Sequence, residues 1–199
     1  MISKSGLLHR REVVAELLRD RGELLAVAGL GAPNWDVSAA GDHPNTFPLW
    51  GAMGSAAMIG LGLALAQPSR RILVITGDGE MLMGLGSLAT IAVQKPPNLS
   101  LVVLDNERFG ETGMQETHTA HGVDLAGMAK AAGFAKSLLV REGDEVTKLR
   151  ELAHSGKGPI FAQVKIDPEA LPFVLPPAEG SILKNRFRVA VLGEDALYN

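Results

Sequence analysis

Cysteine is absent from the 199 residues. That zero removes disulfides, thiolate nucleophiles, thiolate-held zinc and cysteine-ligated iron–sulfur clusters, so any metal has to sit on oxygen or imidazole. Charge of one sign is lacking too: the net charge is −3 and the isoelectric point about 6.0, which gives nucleic acid or an anionic membrane surface little to hold. There is no internal repeat and no low-complexity segment. The start of the chain carries Lys4, Arg10 and Arg11, but Glu12 and Glu16 follow and no apolar core leads to a small-residue cleavage site, so the expectation is a cytoplasmic protein. One uncharged run, Leu49–Ala66, reaches the lower limit for a membrane span. Its Gly51, Gly54, Gly60 and Gly62, with Ala52, Ala56 and Ala57, instead suit a helix packed tightly inside a soluble core, and Arg70 and Arg71 follow at once.

What is present is ordinary globular material, 46% hydrophobic and 21% charged, enough for one domain. Apolar spacing predicts a helix over Leu7–Asp20, ended by Gly22, and then a strand at Leu24–Ala28. The Gly- and Pro-rich stretch 29–48 reads as loop with at most one short helix. A helix over 53–66 leads to a buried strand at Ile72–Thr76, a helix over Glu80–Gln94 and a second buried strand at Leu99–Leu104. A helix at Leu125–Ala132, N-capped by Asp124, a strand at Ser137–Val140, a helix at Asp144–Ala153 and a last strand at Ile160–Val164 complete the pattern. Strands alternating with helices, and too far apart for hairpins, predict an α/β fold: a doubly wound parallel sheet with helices on both faces. The alternation stops after Asp167, so residues 1–168 form the expected domain. Residues 169–199 are then a C-terminal tail, with Pro168, Pro172, Pro176 and Pro177 near its start and one periodic piece, Ile182–Val191.

The chemistry concentrates at two strand ends. The first strand closes in Gly77-Asp78-Gly79 at a helix start, on the carboxyl edge where open parallel sheets bind ligands. Flanking glycines let backbone approach a ligand, and free N–H groups at a helix start attract phosphate oxygens. A carboxylate would repel a bare phosphate, so Asp78 points to a divalent cation between the two, a habit of Mg²⁺. Taken alone, a tight turn with a capping aspartate also explains Gly-Asp-Gly. The second strand ends in Asp105-Asn106-Glu107-Arg108-Phe109-Gly110, one strand–helix–strand unit later, which brings two oxygen-rich ends side by side.

This two-part pattern, Gly-Asp-Gly and then Asp-Asn, resembles the thiamine diphosphate-binding motif, and Trp50-Gly51-Ala52-Met53-Gly54 extends the resemblance upstream. Asp105-Asn106 and the run Thr112-Gly113-Met114-Gln115-Glu116-Thr117-His118-Thr119 resemble the sulfopyruvate decarboxylase β subunit and the matching part of phosphonopyruvate decarboxylase. The resemblance covers nearly all of residues 1–168. It implies Mg²⁺ on Asp78, the Asn106 side chain and the Arg108 carbonyl, and diphosphate on the backbone N–H groups of Gly79 and Glu80. Gly77, Phe109 and Gly110 belong to the implied cofactor-binding set, and the loop Gly29–Pro33 adjoins it. Met53 would be the apolar residue that bends the cofactor into a V, where simple core packing is the plainer reading. Gly51 would accept the aminopyrimidine through its carbonyl. A strand-end structural role is expected for Asp105.

By the same resemblance, the activating glutamate belongs to a pyrimidine-binding domain for which no residues remain here. It is expected from a partner α subunit, with the cofactor at the interface of a hetero-oligomer. Glu111, Gln115, His118 and His121 are the candidate catalytic residues toward a 2-oxo acid, since a histidine titrates in the right range to deliver the proton that replaces CO₂; a solvated loop is the plainer reading of the two histidines. Glu111 departs from the small hydroxyl residue of the relatives, and a carboxylate beside a sulfonate or phosphonate is repulsive. Two alternatives stay open: an aldehyde- or acyl-transferring lyase or synthase with the same cofactor, and a non-catalytic α/β domain. An oxidoreductase subunit that passes electrons through a cluster is disfavoured by the missing cysteine.

Overall fold

The structure, a computed structural model, describes residues 6–198; the sequence reading of Lys4 lies outside them. Along the chain, α1 (Arg10–Leu18) leads to β1 (Leu25–Ala28), α2 (Ala32–Ala39), β2 (Thr46–Pro48), α3 (Ala56–Ala66), β3 (Ile72–Gly77), α4 (Asp78–Met83), α5 (Ser87–Gln94) and β4 (Leu99–Asp105). A two-residue hairpin follows, β5 (Arg108–Phe109) with β6 (Gln115–Glu116), then α6 (Leu125–Ala132), β7 (Lys136–Val140), α7 (Gly143–Ser155), β8 (Ile160–Lys165) and α8 (Gly180–Leu192). Six strands pair in parallel in the order β2-β1-β3-β4-β8-β7. The apolar runs at β1, β4 and β8 are buried at every position, as strands covered on both faces must be.

Alternate strand residues feed two cores. On one face Leu73, Ile75, Val102 and Val164 meet α1 and α7; on the other Ile72, Val74, Leu101 and Phe161 meet α3, α5 and α6. Of the four glycines expected in a tightly packed helix, Gly60 serves that end, since a Cβ there would stand 2.2 Å from Val74 Cγ2 of β3; Gly62 has nothing within 4 Å, and Gly51 and Gly54 precede the helix. Among the described residues no helix is long and apolar enough to cross a membrane. The chain steps from β1 outward to β2 and then back across β1 to β3, which puts the topological switch, and the crevice it opens at the carboxyl edge, between β1 and β3.

Four local expectations need correction. The first helix begins at Arg10, because Leu8 instead pairs with Ile166 as an isolated parallel bridge. The stretch 29–48 contains α2 and also the three-residue edge strand β2. The helix expected from residue 53 starts at Ala56, since Ala52 and Gly54 adopt left-handed φ values of 61° and 90°. The helix over 80–94 is broken at Gly84-Leu85-Gly86, where Gly84 meets the Gly54 carbonyl so closely that a Cβ would lie 2.2 Å from its oxygen. Asp124 caps α6 as expected, accepting from Gly127 N at 2.8 Å. Beyond β8, the chain lies back on its own domain: Phe187 of α8 packs on Phe47 at 5.1 Å between ring centroids, and Arg186 pairs with Asp42 at 2.6 Å.

Candidate cofactor and metal site

β3 passes into α4 without a loop, so Gly77 is the N-cap and Asp78 the first helical residue. The Asp78 side chain is buried, 2% exposed. Its Oδ2 accepts from the hydroxyl of Thr117 and, at 3.0 Å, from that of Thr119. Among the described residues no cation pairs with it. Burial pushes its carboxyl up to about 6; the Thr117 hydrogen bond opposes this, the nearby Asp105 charge adds to it, and Thr119 opposes it.

Asp105, one strand over, is fully buried but differently supplied. Oδ2 accepts from Gln163 Nε2 at 2.6 Å and Lys165 Nζ at 2.9 Å, while Oδ1 accepts from Thr119 Oγ1 at 2.7 Å and Glu107 N at 3.1 Å. Lys165 thus faces Asp105 with a cation that it shares with the Glu107 carboxylate, in keeping with a structural strand-end role. Asn106 Oδ1 accepts from Arg108 N at 3.0 Å, a tight turn that draws the Arg108 backbone toward the Asn106 side chain. The Arg108 guanidinium turns elsewhere, donating to Glu107 O at 2.9 Å and pairing with Glu116 at 3.3 Å.

The close approaches around α4 explain its glycines. A Cβ on Gly79 would come within 2.5 Å of the Phe109 ring, so the ring presses on the first turn of α4; beside Gly77 the nearest atom is Pro33 Cγ at 4.0 Å, which leaves that backbone accessible. Glu80 does more than contribute an N–H group at a helix start. Its buried carboxylate accepts from Thr76 Oγ1 at 2.7 Å, Leu30 N at 3.0 Å and Gly54 N at 3.3 Å, fastening the loops after β1 and β2 to α4. Gly29 is required there, because a Cβ would fall 2.1 Å from Glu80 Oε2.

Gly51 and Met53 lie on the second of those loops. Met53 is 40% exposed, so core packing does not account for it. Glu111 stands over Gly31 and accepts from Trp35 Nε1 at 3.3 Å. Gln115 is satisfied within its own hairpin, donating to Thr112 O at 2.7 Å and accepting from Thr112 Oγ1 at 2.8 Å. His118 and His121 bound a short 3₁₀ turn; both are exposed, and His121 Nε2 pairs with Glu116 at 3.3 Å. The hairpin also carries Gly110, where a Cβ would touch Met114 Sδ at 3.9 Å. Sequence reasoning missed Thr117 and Thr119 as partners of Asp78, and Trp35 as the partner of Glu111. The pattern Thr-x-Thr after an Asp-Asn strand end was the only signal for the first pair.

The donor set fits a hard cation. A buried carboxylate without a counter-charge, an amide oxygen and a backbone carbonyl held in one turn are all oxygen ligands, and a helix start beside accessible glycine backbone suits phosphate.

Comparison with known proteins agrees with this geometry. The family model for the thiamine pyrophosphate enzyme C-terminal TPP binding domain matches residues 35–164. The sulfopyruvate decarboxylase subunit beta of Methanothermobacter thermautotrophicus is 39% identical over 162 residues, 81% of this chain and 84% of that protein. That of Methanococcus maripaludis is 34% identical over 187 residues, 92% of this chain and 98% of that protein. Phosphonopyruvate decarboxylase of Streptomyces viridochromogenes is 37% identical over 159 residues, 80% of this chain but 39% of that longer protein. Among solved structures, benzoylformate decarboxylase from Polynucleobacter necessarius shares the fold with a TM-score of 0.69 at 23% identity, over 83% of this chain and 34% of that one.

Proposed function

Because this chain belongs to the thiamine pyrophosphate enzymes, as their C-terminal TPP binding domain, we propose that it is the diphosphate-binding subunit of a 2-oxo acid decarboxylase of the sulfopyruvate and phosphonopyruvate type, active with a separate pyrimidine-binding α subunit. The observation that carries the reading is Asp78: a buried carboxylate at a helix start whose partners are two hydroxyls and its own backbone, with no cation on it among the described residues, beside an Asp105 that has Lys165. Mg²⁺ on Asp78, Asn106 Oδ1 and the Arg108 carbonyl would supply the missing counter-charge, and the N–H groups of Gly79 and Glu80 would hold the diphosphate. Once bound, the cofactor supplies the electron sink that lets the carboxylate leave as CO₂.

The rest falls to the chain's own residues. Met53 would give apolar bulk to the cofactor site, and the Gly51 carbonyl would accept from the aminopyrimidine amino group. Of the candidates near the hairpin, His118 is the proton donor we favour, since Gln115 and His121 already spend polar atoms within the hairpin region. Support for a partner comes from the subunit naming of relatives whose length this chain nearly spans. It also comes from Met53, Met83 and Met114, which stay at least 40% exposed on segments leading from the carboxyl edge. The activating glutamate would reach the cofactor from that partner.

The test is turnover of a 2-oxo acid panel, sulfopyruvate and phosphonopyruvate included, by this chain with its α partner, thiamine diphosphate and Mg²⁺, with the organic product identified. A free aldehyde and CO₂ support the decarboxylase. A carbon–carbon condensation product means the acyl-transferring alternative, and no turnover of any member rejects both.

A further inference from the structure

The chain has only two tryptophans, and they lie together: the rings of Trp35 and Trp50 are 5.6 Å apart, tilted at 57°. Trp35, on α2, is buried and donates its indole N–H to Glu111 Oε1 at 3.3 Å. Glu111 reaches that position across Gly31, where a Cβ would stand 3.0 Å from its Cγ; φ at Gly31 is +71°, so only glycine is at ease there. Trp50, which directly precedes Gly51, donates its indole N–H to the Pro177 carbonyl at 2.9 Å, and the Phe173 ring packs on Trp35 at 5.6 Å.

The segment carrying Phe173 and Pro177 is anchored in turn. Glu169 pairs with His9 Nδ1 at 3.0 Å and accepts from Arg10 N at 3.3 Å, while the Pro172 carbonyl accepts from Arg11 Nη2. The two arginines also clamp Asp36, next to Trp35, at 2.7 and 3.2 Å. A continuous set of contacts therefore runs from the segment 169–177 through the indole pair to Glu111 on one side and Gly51 on the other.

We infer that Trp35 is a positioning residue for the proposed reaction: its N–H holds the Glu111 carboxylate against α2, and the segment 169–177 holds Trp35 and Trp50 in place. The identity of the reaction rests on the function proposed above; the geometry does not. The physical reason is charge. Diphosphate and a 2-oxo carboxylate are anions, and a free carboxylate on the loop after Gly110 would repel both. A hydrogen bond to a charged group, unlike mere packing, keeps that negative charge directed at one donor.

The experiment is a set of variants in the assembled enzyme. Trp35→Phe deletes the N–H and leaves a smaller aromatic ring beside Trp50 and Phe173, and the double variant with Glu111→Gln separates the lost hydrogen bond from the lost bulk. It is expected to raise the KM for the 2-oxo acid about ten- to hundredfold, the scale of a hydrogen bond to a charged group. Trp35→Phe combined with Glu111→Gln is expected to return KM to near that of Glu111→Gln alone, because the released group is no longer charged. A structural defect would not be repaired by changing Glu111. An unchanged KM in Trp35→Phe, or a double variant as impaired as the single one, overturns the inference.

A second arm reads the anchoring segment without cofactor. Acrylamide quenching of the two tryptophans in the free chain is expected to rise in Phe173→Ala and to return with Phe173→Leu, with KM in the assembled enzyme following the same order. Equal quenching in Phe173→Ala and wild type overturns the anchoring. Absence of turnover in wild type overturns the positioning role together with the proposed function, and a quenching series that still behaves as expected then identifies the function as what failed.

Discussion

The carboxylates of Asp78 and Asp105 share one hydroxyl: Thr119 Oγ1 lies 3.0 Å from Asp78 Oδ2 and 2.7 Å from Asp105 Oδ1. Their fates then diverge. Asp105 has Gln163 and the ammonium of Lys165, shared with Glu107, whereas Asp78 has hydroxyls and its own backbone and, among the described residues, no cation. Two adjacent strand ends thereby present one buried carboxylate beside an ammonium and one with no cation on it among the described residues.

Asp78→Asn is expected to stabilise the metal-free chain at neutral pH while weakening its binding of thiamine diphosphate with Mg²⁺. The folded carboxyl sits at about 6, above its ordinary value, so the folded state binds that proton more tightly than the unfolded state does. Ionised Asp78 therefore costs stability above pH 6, and the cost fades as pH falls through the folded value toward the ordinary one. Thermal unfolding without metal should show the variant melting higher than wild type at pH 7.5, with the gap closing near pH 4. A wild type that melts higher than the variant at pH 7.5 would mean that Asp78 already has its counter-charge.

Lys165→Met removes the one ammonium that, among the described residues, pairs with Asp105; it also frees the half-exposed Glu107 and leaves a fully buried carboxylate with neutral donors. Breaking a buried pair from one side costs about 3–5 kcal/mol, and Gln163 should hold the loss toward the lower end. Urea unfolding should show a lower midpoint at an unchanged slope. No loss of stability would mean that the pair contributes nothing.

Met53→Ala separates function from folding. The side chain is 40% exposed and belongs to neither core, so stability should stay within about 0.5 kcal/mol of wild type. If Met53 shapes the bound cofactor, kcat should nonetheless fall at least tenfold. Loss of both together would return Met53 to the role of a packing residue.

Gly84→Ala tests the break in the helix. A Cβ there would stand 2.2 Å from the Gly54 carbonyl oxygen, and backbone cannot yield as a side-chain tip does. The expected cost is about 1–3 kcal/mol or more, and the loop carrying Gly51 and Met53 should move with it, weakening cofactor binding. Unchanged affinity in a folded Gly84→Ala would show that this loop does not touch the cofactor.

These residues also show where the sequence was readable. β1, β3, β4 and β8 are apolar runs buried on both faces, and such runs between helical patterns fit little besides the central strands of a parallel sheet; with them the carboxyl edge and the side-by-side ends of β3 and β4 were legible. β2 was not, because the three residues Thr46–Pro48, the last of them a proline, carry no period, and pairing with β1 alone makes them a strand. The break at Gly84–Gly86 is imposed by Gly54, thirty residues away in sequence, and local helical spacing runs straight through it. The carboxylate role of Glu80 and the grip of Trp35 on Glu111 are likewise long-range contacts, made by side chains whose local context suggested only a helix start and a loop.

Whether Asp78 holds the metal that carries the diphosphate is decided by calorimetric titration of thiamine diphosphate with Mg²⁺ into the purified chain and into its Asp78→Ala variant, each with and without the α partner. Heat is expected for wild type with partner and none for Asp78→Ala under any condition. Equal binding by Asp78→Ala and wild type, or no binding by wild type even with the partner, would contradict the metal–diphosphate assignment.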